Sequence, residues 1–416
     1  MSAVLITNIK LLAGIREGLK PLRGNTLAEM PSVSNAWLLT EGAHIAAFGS
    51  MDALPEAVSQ QLTRVVDAKG GIVLPAWCDS HTHLVFPASR EEEFIDKIKG
   101  LSYAEIAAKG GGILNSARKL QDASEDQLFQ DAWKRLQELM RSGTGAIEIK
   151  SGYGLSPEGE LKMLRVIKRL KERAPIPVKA TFLGAHTYPA AFKEDHEGYI
   201  RQIIDEMLPV IAAEKLADFI DVFCETGFFS PEETIRICEA GKQYGLKPKI
   251  HANQLNLSGG VQAGLLLGAL SVDHLETMDD ATIALLAASD TIGTLLPNAA
   301  FFLRMPFQPA RAMIGAGAAI ALASDLNPGS SPSGNMNLVV AMSCIQMKML
   351  PEEAINAATF NGACAMELQE QYGSIAIGKK ANLILTRPVP SLAYLPYAFG
   401  SNLVDNVMIS GEFINS

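Results

Sequence analysis

Apolar and polar residues alternate in short stretches at both ends of the chain. VLITNIKLLAG, AWLLTEGAHIAAFG and TRVVDAKGG lie near the start, and KKANLILTR and NVMISGEFI near the end. A period of two places alternate side chains on opposite faces of a strand. These stretches therefore predict a small β-sandwich module assembled from both termini, residues 1–66 and 371–416.

Residues 67–370 have a different rhythm. Apolar, β-branched runs alternate with amphipathic stretches such as EDQLFQDAWKRLQELMR (125–141) and EGELKMLRVIKRLKE (158–172). Alternating βα units predict a parallel sheet. Eight candidate strands cover 71–80, 145–150, 178–185, 219–224, 247–252, 270–275, 292–297 and 319–325. Eight such units are what a closed (β/α)8 TIM barrel requires, and such barrels carry their active sites at the C-terminal strand ends.

The ends of these strands carry the candidate chemistry. The first runs into His81 and His83, the second holds Glu148 and Lys150, the third ends at His186, and the fourth at Glu225. His251 closes the fifth, Asp273 and His274 the sixth, Asn298 the seventh and Asp325 the eighth. Histidines at i and i+2 of a strand point to one side, so His81 and His83 can grip one ion. His251 and Asp325 from across the barrel complete an N₃O set suited to zinc or iron, with room left for water as in a catalytic site.

Several residues admit two readings. His274 is either a buried, hydrogen-bonded core histidine or a group that orients water or polarises a carbonyl, and His186 is similarly placed. Lys150 either pairs with a buried acid or carries chemistry. Glu225 on the fourth strand leans towards a single metal ion. Arg90 is a carboxylate clamp or a surface arginine beside Glu91–Glu93. The Gly/Ser-rich segment SDLNPGSSPSGN (324–335) is an anion cradle of backbone N–H groups or an ordinary turn.

Composition narrows the function classes. The 416 residues suffice for a large barrel and a small module, and 48% hydrophobic with 19% charged residues is the balance of a compact enzyme. With 36 basic against 45 acidic residues the net charge is −9, without a basic run, which argues against nucleic acid and anionic membrane as partners. Five scattered cysteines without a CxxC pair suggest neither a disulfide framework nor a cysteine zinc site. The N-terminal stretch, interrupted by Asn8 and Lys10, reads as a strand rather than a signal peptide, and the cytoplasm is the expected location.

DSHTHLVF with Arg90, EIKSGYGL (148–155), GAHTYP (184–189), KIHANQL (249–255), SVDHLE (271–276) and ASDLNPGSSP (323–332) together resemble the imidazolonepropionases of the amidohydrolase superfamily. The resemblance spans nearly the whole chain. HxH marks only the superfamily, whereas EIKSGYGL and SDLNPG are much more specific. It implies hydrolysis of 4-imidazolone-5-propanoate to N-formimidoyl-L-glutamate in histidine degradation. Matched position by position, it implies one metal, zinc or iron, on His81, His83, His251 and Asp325. Substrate contacts would come from Arg90, Tyr153, His186, Gln254, Asn327, Gly329 and Ser330. Some members carry Glu where this chain has Gln254, and an amide cannot titrate, so that position keeps only a hydrogen-bonding role. Asp325, His274 and His186 are the expected catalytic residues. The expected partner is a small-molecule carboxylate substrate, and the expected assembly is a homodimer. The rival readings are another cyclic-amide hydrolase, a ring deaminase, which has no need of a carboxylate clamp, and a non-catalytic metal-binding barrel.

Overall fold

A computed structural model describes residues 3–56, 58, 64–101, 105, 109 and 111–414. Strands from both termini form one sheet. β1 (Ala3–Ala13), β2 (Ser32–Glu41), β3 (His44–Ser50), β4 (Arg64–Asp67) and β5 (Gly71–Pro75) come from the N-terminal side. After the barrel strands β6–β13, β14 (Leu383–Pro388), β15 (Val404–Ile409) and β16 (Glu412–Ile414) complete it. The order is β16-β15-β14-β5-β1-β2-β3, with β4 pairing the first half of β1 and β5 its second half. The change of partner coincides with a register shift between Ile6 and Ile9, where Asn8 has a φ of 53°. Val4, Ile6, Ile9 and Leu12 share a separate small core with Val73, Leu383, Leu385 and Met408.

The barrel consists of β6 (Trp77–Asp79), β7 (Thr144–Lys150), β8 (Val178–Ala185), β9 (Phe219–Cys224), β10 (Lys247–Ala252), β11 (Ser271–His274), β12 (Ile292–Leu295) and β13 (Ile320–Leu322). Each pairs in parallel with the next. Among the described residues the seam between β13 and β6 closes at the C-terminal rim. There Thr82 bridges Leu326, the Asp325 N–H donates to His81 O at 3.0 Å, and the His83 N–H donates to Leu326 O at 2.8 Å. The candidate metal residues are thus part of the closure.

One sequence expectation is corrected here. The single strand over 71–80 is two strands. Gly71–Pro75 pairs with β1 and β14 in the terminal sheet, and only Trp77–Asp79 pairs with β7 in the barrel. Both pieces are fully buried and, up to Asp79 at the end of the second, apolar, so hydrophobicity cannot show the change of sheet.

The helices follow their sequence signals. Ser124 caps Glu125–Arg141 by accepting the Gln127 N–H, and Leu128, Phe129, Ala132, Leu136 and Leu139 form its buried stripe. Ser156 and Pro157 start Pro157–Arg173 in the same way. Among the described residues no helix is long and apolar enough to cross a membrane.

Candidate active site

His81, His83, His251 and Asp325 are all buried at the rim where β6, β10 and β13 end. His81 Nδ1 lies 2.6 Å from Asp273 Oδ2. A carboxylate oxygen accepts, so the ring carries its proton on Nδ1 and turns a lone pair on Nε2 outward. His251 Nδ1 stands 2.9 Å from Asp221 Oδ2, an oblique approach that still turns this side of the ring to the carboxylate. His81 Nε2 and Asp325 Oδ1 are 3.5 Å apart, and His83 Nε2 and the same oxygen 3.6 Å.

Among the described residues His81 Nε2, His251 Nε2 and Asp325 Oδ2 are buried atoms without a hydrogen-bond partner. Such atoms are uncommon because desolvation without a partner is costly. Two ligand groups, each with all its donor atoms within 4.8 Å of one another, share His81: His81, His83 and Asp325, and His81, His251 and His274. A nitrogen-rich set with one carboxylate fits a transition metal, so the residues present suit the ion that the sequence implies. His274 stands closer to the set than its place in the sequence suggested.

Burial drives the His81 and His83 imidazoles well below their ordinary pKa and brings His251 to about 3 and His186 to about 4. All four rings are therefore neutral at neutral pH, the form that can ligate. Burial lifts Asp325 to about 7. For His274 burial pulls the pKa down, but Glu276, 3.4 Å from Nδ1, together with Asp325 and Asp273, leaves it raised. The local backbone is strained: His274, Leu275 and Asp325, none of them glycine, have φ values of 85°, 66° and 53°.

His83, His251, His274 and Asp325 line a cavity of about 850 Å³ together with Arg90, Tyr153, His186, Gln254, Asn327, Gly329 and Ser330. His186 Nδ1 lies 3.0 Å from Gly152 O, and since a carbonyl only accepts, the Nδ1 proton is donated and Nε2 is left as an acceptor. Residues 72–414 match the model of the amidohydrolase family. The chain belongs to that family.

Among its relatives, the imidazolonepropionase of Flavobacterium johnsoniae is 56% identical over 411 residues, covering 99% of both chains. That of Christiangramia forsetii is 54% identical over 99% of this chain and 100% of the relative. Solved structures share the fold. A triazine hydrolase from Arthrobacter aurescens superposes with a TM-score of 0.74 at 15% identity over 99% of this chain and 94% of its own. A zinc-bound adenosine deaminase from Xanthomonas campestris gives 0.68 at 17% over 99% and 92%.

In this amidohydrolase Arg90 is neither free nor superficial. Its Nε and Nη2 donate to Glu93 Oε2 at 2.9 and 2.5 Å, and the arginine itself sits in the cavity wall. The turn after β13 decides between the two readings of its Gly/Ser-rich segment. Its Gly329 and Ser330 N–H groups both donate to Asn327 Oδ1 at 2.8 Å, so they form a self-satisfied Asx turn rather than an open anion cradle. The turn lines the cavity with Asn327, Gly329 and Ser330. Glu225 accepts the N–H groups of Thr226, Leu255 and Asn256 and so fixes the loop that carries Gln254. His196 is half-exposed and stacks on Tyr188.

Sequence reasoning missed several partners. Glu160 accepts the N–H groups of Gly152, Gly154 and Leu155, holding the turn that presents Tyr153, and its place just inside the following helix was the available signal. Lys97 lines the cavity near Arg90 and donates to Gly329 O at 3.1 Å. The carboxylates behind the histidines, Asp221 and Asp273, were visible as acids in apolar strands, but their targets were not.

Proposed function

We propose that this chain hydrolyses the cyclic amide C–N bond of 4-imidazolone-5-propanoate, giving N-formimidoyl-L-glutamate in histidine breakdown. The 56% identity to an imidazolonepropionase over 99% of both chains carries this reading. The cavity supports it independently, with unpartnered metal-competent atoms among its buried residues and a cationic wall at Arg90 and Lys97. A ring deaminase would have no use for that wall.

His81, His83, His251 and Asp325 would hold one metal ion, zinc or iron. When bound, such an ion supplies a Lewis acid for the amide carbonyl and lowers the pKa of water towards neutrality. Asp325 keeps Oδ1 beside the two histidines and Oδ2 without a partner. Oδ2 accepts a proton from the attacking water and returns it to the ring nitrogen as the C–N bond breaks. The water's oxygen remains on the carbonyl carbon, which ends as a carboxylate. His274, with Nδ1 turned to Glu276, leaves Nε2 to orient the water or the developing oxyanion.

The other residues bind and orient. Arg90, backed by Glu93, offers its remaining donors to the propanoate. His186 Nε2 suits a ring N–H of the substrate. The Tyr153 hydroxyl, the Gln254 amide and the Ser330 hydroxyl supply further hydrogen bonds. Fixing a small ring between these walls makes the reaction effectively unimolecular.

The test is a spectrophotometric assay with freshly prepared imidazolone propanoate, following loss of the ring chromophore and appearance of formimidoylglutamate. Activity should vanish on chelation and return with zinc or iron, and the ion that restores it best settles the choice. No turnover by the metal-loaded protein would sink the reading.

A further inference from the structure

Beneath the candidate metal residues lies a cluster of charges withdrawn from solvent. Glu148, Lys150, Lys249 and Asp273 are wholly buried and Asp221 is 1% exposed. Lys150 Nζ lies 2.6 Å from Glu148 Oε1, 2.8 Å from Asp221 Oδ2 and 3.6 Å from Asp273 Oδ2. Lys249 Nζ pairs with the other Glu148 oxygen and donates to Ser80 O at 3.0 Å. The Thr181 hydroxyl donates to Glu148 Oε1 at 2.6 Å, and the Ser271 hydroxyl to Asp273 Oδ1 at 2.6 Å.

Two of these distances concern particular oxygens. Asp221 Oδ2 also faces His251 Nδ1, and Asp273 Oδ2 also faces His81 Nδ1. One ammonium, from the end of β7, therefore lies within ion-pair distance of both of the oxygens that face the two imidazoles. Their rings come from β10 and from the end of β6, and their carboxylates from β9 and β11, so the lysine ties together residues from five strands. Buried ion clusters are poor stabilisers compared with apolar packing, because desolvation offsets most of the attraction. A cluster of five such groups in a barrel centre, where branched aliphatic residues would pack well, therefore points to a role other than stability.

We infer that Lys150 is a positioning residue for the metal site, fixing the Asp221 and Asp273 carboxylates so that His251 and His81 present their Nε2 atoms to one point. The inference rests on the reading that His81 and His251 are ligands. Partners behind metal-ligating histidines typically control affinity by 10–100-fold.

The test compares metal affinity, by competition with a chromophoric chelator, in the purified full-length protein. Lys150→Met alone strips a charge from a buried cluster and risks unfolding. Glu148→Gln/Lys150→Met removes one charge of each sign and keeps the net charge of the cluster. With its thermal transition and circular dichroism intact, this double variant should bind zinc about 10–100-fold more weakly. The visible bands of its cobalt-loaded form should also be altered, which a purely structural role would not produce. Zinc affinity and cobalt bands equal to those of the parent protein, or of a folded Glu148→Gln single variant showing the same loss, would overturn the role of Lys150. His251→Ala is the control. If that variant keeps full affinity, the ligand reading itself has failed, an outcome separable from failure of the Lys150 inference alone.

Discussion

Arg90 and Gly329 are packed so closely that a Cβ added at position 329 would meet Arg90 Nη1 at 2.4 Å. The glycine is there for space, not for an unusual backbone angle, since its φ is not in the left-handed region. The Arg90 side chain reaches the cavity wall only because the turn opposite has no side chain at that point. Gly329→Ala should displace the guanidinium and raise KM roughly 10-fold or more, the worth of a weakened charged hydrogen bond. Steady-state kinetics check it, and an unchanged KM would show that Arg90 does not bind substrate from this position.

Replacing Arg90 by Lys keeps the charge and loses the planar fork. Glu93 then faces a single ammonium, and the clamp for the propanoate loses its second donor. Catalytic efficiency should fall by about 1–3 kcal/mol. An analogue without the propanoate should react equally poorly with both proteins. Equal efficiency of that analogue and the intact substrate with the parent enzyme would remove the clamp from the mechanism.

Asp325→Asn preserves shape and one ligating oxygen while removing the proton acceptor. General-base assistance is worth about 10²–10⁴-fold, so kcat should drop at least about 100-fold in protein that still holds metal. Metal content and kcat must be measured on the same preparation. A variant that keeps both would pass the base role to His274.

Acid should loosen the Arg90 side of the cavity through Glu93. Burial alone would raise this carboxyl, but the bonds from Arg90 and the Gly112 N–H, with the nearby charges of Arg90 and Lys97, hold it below the usual range. A depressed carboxylate stabilises the fold fully above its unfolded pKa of about 4.3, and that contribution is lost as pH falls through the folded value. Glu93→Gln should therefore melt at a lower temperature than the parent at pH 7, with the gap closing as pH falls below about 4. Thermal melts across pH 7 to 3.5 measure the gap, and a gap independent of pH would contradict the assignment.

The residues themselves determined much of this site. The i, i+2 spacing of His81 and His83 and the polar ends of apolar strands follow from the period of a β-strand, which is local and legible. The helices at Glu125–Arg141 and Pro157–Arg173 were equally legible from the amphipathic stretches 125–141 and 158–172, while their caps came from the structure. Only the tertiary structure decided what faces what. Asp221, Asp273 and Lys150 lie on different strands, and their meeting behind two histidines depends on inter-strand register and barrel closure, which no local pattern encodes. The same holds for Gly71–Pro75 leaving the barrel for the terminal sheet, because a strand buried on both faces reads identically in either sheet. Which of the two readings of the turn at Asn327 holds was hidden for a different reason. Its side-chain oxygen competes with any ligand for the Gly329 and Ser330 N–H groups, and only the folded geometry shows that the side chain wins.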